Sequence, residues 1–253
     1  MSEPTPARGF EIQGLAIRRG ERLLLRSVAL AVEPGQALLL IGPNGIGKTS
    51  LLRTLAGLLP RAAGTLRLAG LDPREEPDAY AARLHHVGHR DGVKAALSVA
   101  ENLRFWIRLF GADRESCAPA LEAFGLARLA DLPAAYLSAG QKRRLALSRL
   151  AAIPRPVWLL DEPAAGLDAD ARGCLADAIA AHRAKGGLVV MASHGELSVP
   201  DSRVYRVGGG AANQIDGRSA PDGGAANQID GRSAPGGGAA NQIEGRSAPG
   251  ESA

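Results

Sequence analysis

Ala37-Leu38-Leu39-Leu40-Ile41-Gly42-Pro43-Asn44-Gly45-Ile46-Gly47-Lys48-Thr49-Ser50 is the stretch that decides the fold. Residues 37–41 are wholly apolar, the pattern of a short parallel strand buried on both faces. From Gly42 to Thr49 every fixed position of G-x-x-x-x-G-K-[ST] is filled. A helical pattern starts at Lys48 and runs to about Leu58, with Gly57 and Pro60 marking its end. Strand, glycine loop and helix in that order separate a phosphate-binding loop from an ordinary Gly-rich turn. Gly45 and Gly47 let the backbone wrap closely and turn N–H groups onto phosphate oxygens. The helix start adds its positive end. Lys48 supplies a point charge to the β- and γ-phosphates of a nucleotide, and Thr49 a hydroxyl to Mg²⁺. Ser50, next in line, belongs to the same candidate set.

Further along the chain, Val157-Trp158-Leu159-Leu160 is a second buried strand, and it ends in Asp161-Glu162. Carboxylates at such a position are costly without a compensating cation or hydrogen bonds. Mg²⁺ is the natural partner of Asp161, and Glu162 then stands where a general base would polarise the attacking water. Leu188–Ala192 is a third buried strand, separated from the second by a helix over Ala169–Ala184. Phe10–Ile17 and Thr65–Leu68 alternate as strands, and Leu23–Val32 reads as a strand bounded by the turn signal Glu33-Pro34-Gly35. Between Leu68 and Val157, from about Asp91 to Arg149, the character turns helical, with segments over Val99–Phe110, Arg114–Phe124, Ala127–Leu129 and Gln141–Ala151. The β-α alternation implies a mostly parallel, helix-covered sheet. The expected fold is α/β: a P-loop NTPase with a RecA-like parallel sheet core, N-terminal antiparallel strands and an inserted small helical lobe.

The lobe holds Leu137-Ser138-Ala139-Gly140-Gln141. On its own this is a capped helix start: Ser138 is a good N-cap, and Gly140 lets another group approach the backbone. In the order glycine loop, Leu-Ser-x-Gly-Gln, apolar strand plus Asp-Glu, the chain resembles the ATP-binding-cassette ATPases. The resemblance spans roughly residues 10–207. It implies that Ser138, Ala139, Gly140 and Gln141 close on ATP held by a second subunit, so that the working unit is a homodimer with two ATPs sandwiched. It further implies a γ-phosphate contact from His194, which follows the third buried strand, and a seam-crossing loop ending at Asp168, itself a good helix N-cap. Gly88-His89-Arg90-Asp91-Gly92-Val93-Lys94 and Glu101-Asn102-Leu103-Arg104-Phe105 look like the haem-exporter ATP-binding subunits of bacterial cytochrome c maturation. That resemblance implies a peripheral protein on the cytoplasmic side of the inner membrane, working with integral membrane subunits of a haem-handling complex.

Two positions depart from the family pattern. No Gln occurs between Gln36 and Gln141, so the Gln that links core to lobe is missing and Arg90 occupies its place. A cation cannot coordinate Mg²⁺, which leaves Arg90 as a candidate γ-phosphate partner. The aromatic that stacks on adenine is also absent. The segment reads Ile17-Arg18-Arg19-Gly20, and the Arg19 guanidinium plane is its substitute.

Composition sets the outer limits. Cys117 and Cys174 are the only cysteines in 253 residues, which argues against a disulfide framework or zinc site. No apolar stretch is long enough to span a bilayer, and residues 1–10 lack the apolar run of a signal peptide. From Gly209 a Gly-Gly-Ala-Ala-Asn-Gln-Ile repeat begins, restarting at Gly223 and Gly237. One Ile per copy cannot offset the ordering entropy. The expected division is therefore a domain over 1–207 and a disordered repeat tail over 208–253. The net charge of +4 and the isoelectric point near 9.4 support a competing reading, an ATP-driven clamp on nucleic acid. The absence of any run of five basic residues weighs against it, and no nucleic acid partner is expected.

Overall fold

A computed structural model describes residues 9–193, 195–208 and 215–216. The tail expectation over 208–253, apart from Gly208 and Ile215–Asp216, and the candidate His194 lie outside the described residues.

The chain opens with two antiparallel strands, β1 (Phe10–Arg19) and β2 (Arg22–Val32). β4 (Ala63–Leu68) joins the other side of β1, giving the order β2-β1-β4. Along β1 the buried positions are Phe10 and Ile12, then Leu15 and Ile17. The phase slips by one residue at Gly14, which sits at φ 58° where the register with both neighbours shifts. The bulge keeps the same face apolar on either side of the slip.

The second sheet is built from β3 (Ala37–Ile41), β5 (Leu84–Val87), β6 (Val157–Asp161), β7 (Leu188–Ala192) and β8 (Arg203–Arg206), with a two-residue β9 (Ile215–Asp216). Its order is β5-β6-β7-β3-β8-β9. All pairings are parallel except β8 with β9. Along β6, Val157 and Leu159 face one core with Leu38 and Leu40; Trp158 and Leu160 face the other with Val189 and Met191. The first core also takes in β1 and α1 (Lys48–Leu55); the second takes in the lobe. A sheet covered on both faces explains why its strands read as continuous apolar runs.

The lobe is α3 (Val99–Leu109), α4 (Cys117–Ala123) and α5 (Ala139–Ala152), and α6 (Ala169–Ala184) connects β6 to β7. Arg114–Ser116 forms a 3-10 turn ahead of α4 rather than its first turn. α1 stops at Leu55, short of the expected Leu58, because Gly57 at φ 73° already turns the chain. Four of these strands and helices were not expected from the sequence: α2 (Pro77–Ala81), β5, β8 and β9. β5 reads Leu-His-His-Val, and its His85 is buried with a ring nitrogen 2.9 Å from the Ile153 carbonyl. A polar pair in a four-residue run hides a strand when its partners come from distant chain.

Candidate functional site

Sheet register assembles the site. Leu40, Ala192 and Asp161 are paired in one row across β3, β7 and β6. The glycine loop, the end of β7 and the Asp161-Glu162 pair therefore leave the sheet at the same level. Ligands of open α/β sheets bind at this carboxyl edge.

In the loop, Gly42, Gly45 and Gly47 have φ of 146°, 76° and 118°. A Cβ on Gly42 would lie 2.7 Å from the Val207 carbonyl oxygen, so glycine is required there on two counts. Pro43, Asn44 and Ile46 complete the turn, with the Ile46 N–H donating to the Pro43 carbonyl. Gly47 is the N-cap of α1 and offers no side chain to the first turn. The opening N–H groups of a helix have no partner within it and point along its positive end. Lys48 is 6% exposed, and its Nζ donates to the Gly42 carbonyl at 2.6 Å and to the Pro43 carbonyl at 3.2 Å. Ser50 follows on the first turn of α1.

Thr49 Oγ1 donates to Asp161 Oδ1 at 3.1 Å, although 112 residues separate them in the chain. Asp161 is 3% exposed. A hydroxyl and a carboxylate oxygen converge here next to the phosphate loop. Both are hard oxygen donors, the type Mg²⁺ takes alongside phosphate oxygens and water. Glu162 adopts φ 48°, a left-handed conformation rare for a residue with a Cβ. Its N–H donates to the Ala192 carbonyl at 3.0 Å.

The candidate residues of the lobe fall at one helix end. Ser138 caps α5: its Oγ accepts the Gln141 N–H at 3.2 Å, and Gln141 Oε1 accepts the Ser138 N–H at 2.9 Å. Ala139 and Gly140 are the first two residues of that helix. A Cβ on Gly140 would sit 3.0 Å from the Gly166 carbonyl oxygen. The pentapeptide and the turn before Asp168 therefore lie side by side within one chain. Asp168 accepts the Ala171 N–H at 2.8 Å and caps α6. Arg90 and Arg19 are both exposed.

The ABC transporter family model matches residues 25–165, from β2 through the glycine loop and the pentapeptide to the Asp-Glu pair. The chain belongs to the ABC transporter family and is an ATPase. Among curated proteins it is similar to the cytochrome c biogenesis ATP-binding export protein CcmA of Paramagnetospirillum magneticum. The two are 49% identical over 198 residues, covering 77% of this chain and 91% of that one. The protein of the same name from Roseobacter denitrificans is 50% identical over 197 residues, covering 78% and 89%. Among solved structures, an ATP binding subunit of an ABC transporter aligns with a TM-score of 0.71 at 23% identity, over 78% of this chain and 85% of that one. At that identity the likeness speaks to the fold alone.

The sequence reading of this ABC domain missed Arg143. It lies two residues after Gln141, is 5% exposed, and donates to carbonyls of Gly88, Asp161, Glu162 and Pro163 and to the Asp91 carboxylate. A signal was present: Arg143, Leu147 and Leu150 share one helical face, and a charge on an apolar stripe calls for a buried partner. Arg149, on the same helix, donates to the His86 carbonyl at 2.8 Å. Burial pulls its guanidinium down to about 10, still charged at neutral pH. Asn102 was also missed as an organiser. Its amide donates to the carbonyls of Lys94, Leu97 and Ser98 and accepts the Lys94 N–H.

Proposed function

We propose that this chain is the ATP-hydrolysing subunit of an export complex for c-type cytochrome biogenesis, driving haem export or release. The observation that carries the ATPase part is the Thr49–Asp161 contact at 3.1 Å beside Lys48. The biogenesis part is supported by the relatives, whose name describes cytochrome c biogenesis and export.

The residues divide the work as follows. Gly42, Pro43, Asn44, Gly45, Ile46, Gly47, Lys48, Thr49 and Ser50 bind the phosphates of ATP, with Arg90 reaching the γ-phosphate. Thr49 and Asp161 would hold Mg²⁺, which would supply charge neutralisation to the transferring phosphoryl group. Glu162 accepts a proton from the attacking water, and His194 contacts the γ-phosphate. Ser138, Ala139, Gly140, Gln141 and Asp168 serve the ATP of a second copy of the chain in a homodimer. α5 has no acidic residue in its first turn, so its positive end is unopposed for an anion.

Among the described residues no helix is long and apolar enough to cross a membrane. Membrane subunits carried by other chains supply the passage, and this one docks on their cytoplasmic side at the inner membrane. Glu162→Gln tests the chemistry. The expected result is retained ATP binding with hydrolysis reduced on the order of 100-fold or more. Expression of the intact chain in a host deleted for its own copy tests the pathway. The wild type restores haem-stained c-type cytochromes and Glu162→Gln does not. Restoration by Glu162→Gln would remove ATP hydrolysis from the role.

A further inference from the structure

The Gln expected to link the helical lobe to the end of β6 is absent, and position 90 is an exposed Arg. Arg143 supplies another link. A guanidinium has five N–H donors in a planar fork. Nε donates to the Pro163 carbonyl at 3.2 Å. One terminal nitrogen donates to the Asp161 and Glu162 carbonyls at 3.0 and 2.8 Å. The other donates to the Gly88 carbonyl and to Asp91 Oδ1, both at 2.9 Å. Three consecutive carbonyls, 161–163, are thus gripped by one side chain. The residue in their middle is Glu162, held at φ 48°. A left-handed conformation at a non-glycine residue is strained and persists only where its surroundings over-determine it.

We propose that Arg143 is the positioning residue of the Glu162 turn. Through Asp91 and Gly88 the same guanidinium ties that turn to the segment entering the lobe. The proposal rests on Glu162 acting as general base. Asp91 is the acidic partner of this buried cation, with a side chain 26% exposed against 6% for Arg143. A displacement of residues 88–91 is transmitted to the Glu162 backbone by one rigid plane. Lysine cannot replace it, because a point charge with three donors does not span five acceptors.

The test uses the full-length chain with Arg143→Lys and Asp91→Asn, measuring ATP affinity, KM, kcat per binding-competent site and melting temperature. The expected result is ATP affinity and KM within about 3-fold of wild type and a kcat lowered about 10- to 100-fold in Arg143→Lys, less in Asp91→Asn. A purely structural role lowers the melting temperature and leaves kcat per site alone, and that outcome overturns the proposal. Should Arg143→Lys fail to fold, Asp91→Asn decides. Its side chain keeps an acceptor oxygen and loses the charge, so a fall in kcat at constant KM supports the link and an unchanged kcat removes it. Glu162→Gln in the same assay separates the two readings. Full hydrolysis by Glu162→Gln defeats the general-base reading; loss there, with normal kcat in Arg143→Lys, defeats the positioning role alone.

Discussion

Two helices of the lobe, α3 and α5, begin in the same way and meet different fates. α3 starts with Ser98 and Glu101 in a reciprocal capping box, α5 with Ser138 and Gln141 in another. The backbone geometry of the two caps is close, with Ser98 at φ −67°, ψ 168° and Ser138 at φ −62°, ψ 165°. The difference lies in charge and in what stands alongside. Glu101 places a carboxylate on the positive end of α3, which stabilises that helix and repels any anion. Gln141 completes the same box without charge. Gly140, lacking a Cβ, lets α5 approach the Gly166 carbonyl. A cap by itself is therefore only a helix start. Neutrality in the first turn and close packing against the turn before Asp168 distinguish α5 from α3, and on the proposed role of Ser138 and Gly140 that difference leaves α5 open to an anion.

Exchanging the charge gives the largest effect. Gln141→Glu keeps the box and the fold but sets a carboxylate against the γ-phosphate. ATP hydrolysis by the intact chain should fall on the order of 100-fold, with little change in melting temperature. Glu101→Gln in α3 leaves hydrolysis within about 2-fold. Equal losses from both substitutions would erase the distinction between the two helices. Removing the caps separates stability from activity. Ser98→Ala and Ser138→Ala should each cost about 1 kcal/mol in chemical denaturation, while only Ser138→Ala lowers hydrolysis. Behind the α3 cap, Asn102→Ala strips the carbonyls of Lys94, Leu97 and Ser98 of their donor. It should cost about 2–4 kcal/mol, read as a shifted denaturant midpoint with an unchanged slope.

The smallest effect is a pH dependence that belongs to the scaffold. Burial, the dominant cause, pushes His85 down to about 4 and His182 down to about 4, against an ordinary value of 6.5. The unfolded chain takes up these protons near pH 6.5, and the folded one only near pH 4. Stability is therefore complete above pH 6.5 and is lost as pH falls toward 4. Melting temperatures between pH 7 and 4.5 should decline, and His85→Gln should show a shallower decline whatever its stability at pH 7.

The sequence made the carboxyl edge of the parallel sheet legible because its information is local. β3 and Val157–Leu160 of β6 are uninterrupted apolar runs, and each leads directly into candidate site residues. Their common level could not be read, since it depends on the Leu40–Ala192–Asp161 row, which only strand pairing creates. Lobe helices were visible from their spacing, and the cap at Ser138 from its type. Arg143 was hidden because its meaning is spread over two distant segments: Gly88 with Asp91, and the backbone carbonyls of 161–163, are acceptors that no motif announces. β5 escaped for the same reason, its two histidines being tolerable in a strand only once α5 and the turn at Ile153 cover them.

The hold of Lys48 on the Gly42 and Pro43 carbonyls carries a thermodynamic consequence. A free lysine side chain has about 2 kcal/mol of rotamer entropy to lose. Here its ammonium is already held by two carbonyls of the loop. That loss is incurred once, when the chain folds, and is not charged again to each nucleotide that arrives. The loop meets its ligand as a finished mould. On the proposed role of Lys48, successive turnovers would exchange one set of phosphate oxygens for another around a cation the loop already holds.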